Sequence, residues 1–180
     1  MEKILSEIKK DFFAYRNGVM ADALRKSGDP HAVIMGCMLV DVVTIARRYE
    51  PMVALASALW ADVKHRECRL AAPVLFPPAE MTAEQALEWA RGVQSEEEAD
   101  VLCHRLLRRV ASAEEVACTL LADECRLVQY AGLRLVVNLL ADGTVTSRNA
   151  IAVVVERCGR WLCNENLGLL RHVVAELQSS

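Results

Sequence analysis

Glu96, Asp100, His104 and Arg108 recur at intervals of four residues. Such side chains can hold charge, move a proton or steady a cation. They belong to Ser95–Val110, SEEEADVLCHRLLRRV, and on a helix all four share one polar edge. Ser95 is placed to cap such a helix, and Glu98 three residues later completes a capping box. Glu96 and Glu97 suit the first turn, and Arg105, Arg108 and Arg109 the last, where the helix dipole favours each sign. Ala99, Leu102, Cys103, Leu106 and Val110 supply the apolar stripe. These roles account for every acid except Asp100, which comes too late to cap. Two readings of it stay open. One is an i,i+4 Asp100–His104 pair on a solvated face; the other is a carboxylate on a groove floor, where it could stabilise developing positive charge.

Other reactive constellations are absent. The seven cysteines are scattered without a CxxC spacing and mostly sit in apolar stripes. Neither a disulfide framework nor a zinc site is expected. The four histidines are equally dispersed, so no metal and no cofactor is expected. Basic residues gather in two places. Lys64, His65, Arg66 and Arg69 form one group; Arg126, Tyr130, Arg134 and Asn138 form a polar line of four-residue steps, with Leu127, Ala131, Leu135 and Leu139 opposite. Ordinary solvated surface explains either group as well as a binding face does.

The elements that position these residues read as helices throughout. Apolar residues make up 53% of the 180 and aromatics only 5%, a mixture suited to close-packed helices. Helices are expected near 2–15, 17–27, a ten-residue stretch holding Val40, Val43 and Ile45, and from Pro51 to Trp60. Further helices are expected near Val63–Leu75, from the Thr82/Gln85 capping box, through the central stretch, and near 112–121, 124–140, 146–160 and 165–178. No alternating apolar pattern is long enough for a strand. Helix, short turn, helix recurs about every 35–45 residues, a HEAT-like period. The expected fold is therefore an all-α, HEAT-like α-solenoid of about ten to eleven helices in antiparallel pairs, one domain over residues 1–180, exposing a curved inner surface.

The apolar runs are shorter than the roughly 20 residues of a membrane span. Met1 to Glu7 starts an amphipathic helix, so no membrane partner and a cytoplasmic location are expected. A net charge of −3 means that a DNA binder of this composition must segregate its 21 Lys and Arg onto one surface.

The run Leu59, Trp60, Ala61, Asp62, Val63, Lys64, His65, Arg66, Glu67, Cys68, Arg69, Leu70, Ala71, Ala72 resembles the AlkD-like family of bacterial DNA alkylation repair proteins. Met35-Gly36, Val40-Asp41 and Ile45-Ala46-Arg47 resemble the segment that precedes it there. The likeness spans roughly residues 32–157, with short motifs in the family's order. It implies a HEAT-like solenoid that grips duplex DNA in its concave face. It also implies glycosylase chemistry, the excision of N3- and N7-alkylated purines. Such a purine is already cationic and leaves once a nearby carboxylate stabilises the sugar oxocarbenium.

The family's Trp-Asp-x-x-Asp helix start places its second Asp on Asp100. Its Trp falls on Glu96 and its first Asp on Glu97. The phosphate-holding arginine falls on Tyr130, and a second Trp falls on Val153. A ring replaced by Glu96 loses stacking and adds charge beside phosphate. A lost arginine removes a charge-assisted contact of about 1.5–3 kcal/mol. The resemblance therefore implies binding of duplex or damaged DNA by a basic inner face containing Lys64, Arg66, Arg69, Arg105, Arg108 and Arg134. Glycosylase activity is expected to be weak or lost. The alternative is a non-catalytic solenoid scaffold for a protein partner.

Overall fold

The computed structural model describes residues 1–145 and Ala152. Nine α-helices and no strand occur among them. The chain groups into two compact units, Met1–Glu80 and Met81–Ser180.

In the first unit, α1 (Glu2–Ala14) buries Ile8 and Phe12, and α2 (Gly18–Lys26) starts at Asn17, whose side chain accepts from the Met20 N–H at 3.1 Å. An extended segment leads to α3 (Leu39–Ala46), α4 (Val53–Trp60) and α5 (Arg66–Leu75). Two expected starts move. Pro51 lies outside α4, because the Met52 N–H donates to the Leu75 carbonyl at 3.0 Å and holds Met52 extended as the cap. The helix expected from Val63 begins at Arg66, because backbone there pairs with Val33. The Val33 N–H donates to the Lys64 carbonyl at 2.8 Å, and the Arg66 N–H to the Val33 carbonyl at 3.1 Å.

The second unit holds α6 (Ala83–Arg91), α7 (Glu96–Arg105), α8 (Ala113–Leu121) and α9 (Arg126–Ala141). Thr82 and Gln85 make the expected capping box. At α7 only half of one forms. Ser95 accepts from the Glu98 N–H at 3.2 Å, but the Glu98 carboxylate reaches back to the Gln94 N–H at 2.8 Å. The stretch also does not stay helical to Val110. It breaks at Leu106 (φ −124°, ψ −65°) into a short 3-10 turn, Leu107–Arg109. Arg108 and Arg109 therefore leave α7, and only Arg105 serves its last turn. The helices expected over 146–160 and 165–178 lie outside the described residues, as does Val153.

Two glycines mark where backbone packs too closely for a side chain. A Cβ on Gly132 would stand 2.9 Å from the Leu121 nitrogen, so Gly132 lets α9 seat against α8. Gly36 has φ +77°, and a Cβ there would fall 2.2 Å from the Asn17 carbonyl oxygen. Gly36→Ala adds a strained backbone conformation to a clash with main chain, so its cost should reach at least about 2 kcal/mol. The urea midpoint of the variant measures this; a midpoint equal to wild type contradicts the packing described.

Candidate functional site

The polar edges of α7 and α9 face each other. Asp100, half-buried, meets both Arg134 and Tyr130 of α9. The Arg134 Nε donates to Asp100 Oδ1 at 2.5 Å and its Nη2 to Oδ2 at 3.0 Å, a bidentate pair. The Tyr130 hydroxyl donates to Oδ1 at 2.7 Å and accepts from Arg134 Nη2 at 3.3 Å. One turn on, Asn138 of α9 favours the protonated form of His104. In the following 3-10 turn, Arg108 pairs with Asp142 at 3.2 Å. Asp100–Arg134 and Arg108–Asp142 share one sequence separation, 34 residues, and His104–Asn138 keeps the same step. A constant offset requires α7 and α9 to run parallel, in register, with α8 returning the chain from the end of one to the start of the other. The Cys103 thiol donating to the Ala131 carbonyl at 3.2 Å fastens the same seam.

This geometry answers the question left open about Asp100. Asp100 does not turn to His104: its carboxylate is taken by Tyr130 and Arg134 of α9. Glu96 is exposed at the helix start. Tyr130 is 7% exposed and occupies the position that the resemblance gives to arginine. The guanidinium comes instead from Arg134, one turn further along α9.

Electrostatics follow from the packing. Burial first, and then the bond to Asp100, push the Tyr130 phenol up to about 12. The bond to Asp100 raises Arg134 further above its ordinary range, so its charge is permanent. His104 is held below its usual value by burial, then by Arg108 and Arg105. What the site can do is bounded by these partners. Asp100 is an acceptor already in use, Tyr130 stays protonated at neutral pH, and Arg134 keeps donor capacity on a side chain about a third exposed.

The basic residues fare unequally. Lys64 is exposed and Arg105 half-buried. Arg108 is half-buried, held by Asp142, with its Nε buried and unbonded. Arg66 and Arg69, expected on a basic surface, are 3% and 2% exposed. Arg66 donates to the Cys37 carbonyl at 3.2 Å and to Glu67 Oε1 at 3.0 Å, with Asp29 at 3.8 Å. Arg69 donates to the Trp60 carbonyl at 2.6 Å and stacks on that indole, 3.5 Å from the ring centroid. Both guanidiniums are structural ties of the first unit. Glu67, fully buried, also accepts from the Met35 and Gly36 N–H groups at 3.2 and 3.0 Å. His31 lies against Asp29 nearby, at 2.8 Å.

No family model matches the chain, and neither a curated protein nor a solved structure matches it.

No group of three His, Cys, Asp or Glu side chains suited to a metal occurs among the described residues. No helix among them is long and apolar enough to cross a membrane. The sequence missed the pairing of Asp100 with Arg134, although both polar edges were readable. The signal was their common four-residue step and constant offset. Asp100→Asn should bring the Tyr130 titration down from about 12, yet leave it above the ordinary value near 10, because burial remains. Tyrosinate absorbance against pH reads it; an unchanged titration would show that the carboxylate does not hold the phenol. The sign for stability is also fixed. A raised phenol pKa means the folded chain keeps a proton that the unfolded chain gives up. Stability therefore falls as pH rises from about 10 to 12, and Tyr130→Phe should flatten that fall.

Proposed function

We propose that this chain is a divergent HEAT-like repeat protein of the AlkD-like kind. It binds duplex or damaged DNA weakly along the α7–α9 face, and alkylpurine excision there is weak or absent. The observation that carries the reading is the Asp100–Arg134–Tyr130 cluster between two parallel, in-register helices, its Asp100 and Arg134 about a third exposed. Parallel alternate helices at a constant offset are what stacked helical pairs produce, and they favour a solenoid with a continuous inner face. A carboxylate, an arginine and a ring converge there, the residue types that the resemblance calls for, though in different order.

The same contacts argue for little catalysis. Stabilising an oxocarbenium requires a carboxylate whose charge is exposed to the developing cation. Asp100 spends its charge on Arg134 and a further lone pair on Tyr130. Tyr130 is turned to that carboxylate, so its edge and hydroxyl are committed. Phosphate binding is limited as well. Arg105, Arg108 and Arg134 are the expected contacts in this unit, and two of them already have carboxylate partners. About one to three neutralised phosphates give a salt slope of about −1 to −3, shallow beside binders that make six to ten contacts.

A second reading is favoured by one observation, the burial of Arg66 and Arg69. With two of the six expected contacts consumed inside the first unit, a non-catalytic scaffold for a protein partner fits the net charge of −3 better. Binding to a labelled duplex separates the two. The DNA reading expects a Kd of about 10⁻⁴–10⁻⁶ M at physiological salt, tighter at about 50 mM and weakening on Arg105→Ala. Absence of binding at the lower salt leaves the scaffold. Release of N7-methylguanine from methylated DNA should be at background for wild type and for Asp100→Asn alike; efficient release that Asp100→Asn abolishes would overturn the loss of catalysis.

A further inference from the structure

Ten large hydrophobic side chains are exposed among the described residues, and all lie between Met1 and Val63. None is found in the described part of the second unit. Exposed apolar residues scattered singly mean little, but two of the ten, Phe13 and Val33, line one groove. The end of α1, the start of α2 and the extended segment before α3 border this open groove of about 570 Å³, lined by Phe13, Ala14, Ala21, Val33 and Met35. Phe13 is 56% exposed, and Val19, next to the lining residue Gly18, is 83% exposed.

The two charged side chains that line the groove, Arg16 and Arg25, are basic. Arg16 is anchored by donating to the Phe13 carbonyl at 3.0 Å and by lying 4.2 Å from the Phe13 ring centroid. Arg25 is anchored by donating to the Ile34 carbonyl at 3.2 Å, and it also pairs with exposed Asp22. Each guanidinium is thus positioned by backbone while keeping further donors.

We infer that this groove receives an acidic amphipathic peptide segment, with aliphatic side chains at helical spacing entering between Phe13 and Val33 and carboxylates meeting Arg16 and Arg25. The apolar walls fit aliphatic side chains, and Met35 adapts to irregular ones. A nucleic-acid strand fits less well. Base stacking needs open ring faces, and the one ring on the groove already carries Arg16. The inference uses no residue of the α7–α9 face and stands apart from the proposed DNA binding.

The test is selection of displayed random peptides of about 16 residues, four helical turns, on the full-length chain. Enriched peptides should be net acidic, with apolar residues at i, i+4 and i+7. Their affinity should fall about tenfold or more for Arg16→Glu and for Phe13→Ala. Val19→Glu, at a side chain making no core contact by its exposure, should also weaken them and keeps the test sound if Phe13→Ala unfolds. Circular dichroism melting confirms that each variant is folded. Enriched peptides without acidic bias, binding that survives Arg16→Glu, or no enrichment at all would overturn the inference. So would displacement of the bound peptides by a single-stranded oligonucleotide whose own binding needs Phe13.

Discussion

Both oxygens of Asp100 are held from α9, and that seam governs what the second unit can do. A carboxylate bonded by a bidentate guanidinium and a phenol has little charge left for an approaching cation. The same bonds fix the rotation of α7 against α9, because shifting either helix by one residue carries its polar edge off the other. Cys103 with Ala131 and Arg108 with Asp142 extend the register along the seam. One set of contacts therefore positions the candidate site and restrains its chemistry.

The first unit obeys a related constraint, deeper in the protein. Arg66 and Glu67 are buried side by side, and Glu67 takes two backbone N–H groups from the segment before α3. A buried charge is tolerable only with such partners, and losing one typically costs about 3–5 kcal/mol. Arg69 is satisfied by a carbonyl and an indole face. The motif that looks most basic in the sequence is thus an internal brace. Exposure in that unit belongs to apolar residues and to Arg16 and Arg25.

Much of the fold was legible because local signals decide it. Thr82 and Ser95 cap where capping chemistry requires. The misjudged boundaries each have a distant cause. Met52 is held by Leu75, and residues 64–66 are held by Val33, hydrogen bonds that no local pattern announces. The same limit applies to the site. Asp100 stood out because it could not cap, and Arg134 stood on a readable polar edge. Their union depends on how α8 returns the chain, which residue spacing along one helix does not encode. Burial of Arg66 and Arg69 was hidden for a different reason: charge predicts exposure except where specific acceptors await it.

The most direct measurement is a double-mutant cycle on Asp100 and Arg134, using Asp100→Asn, Arg134→Gln and the pair, read by urea unfolding. For a bidentate pair about a third exposed, a coupling of about 0.5–1.5 kcal/mol is predicted. Single changes that add within about 0.3 kcal/mol would mean that the two side chains do not hold each other, and that Asp100 is free after all.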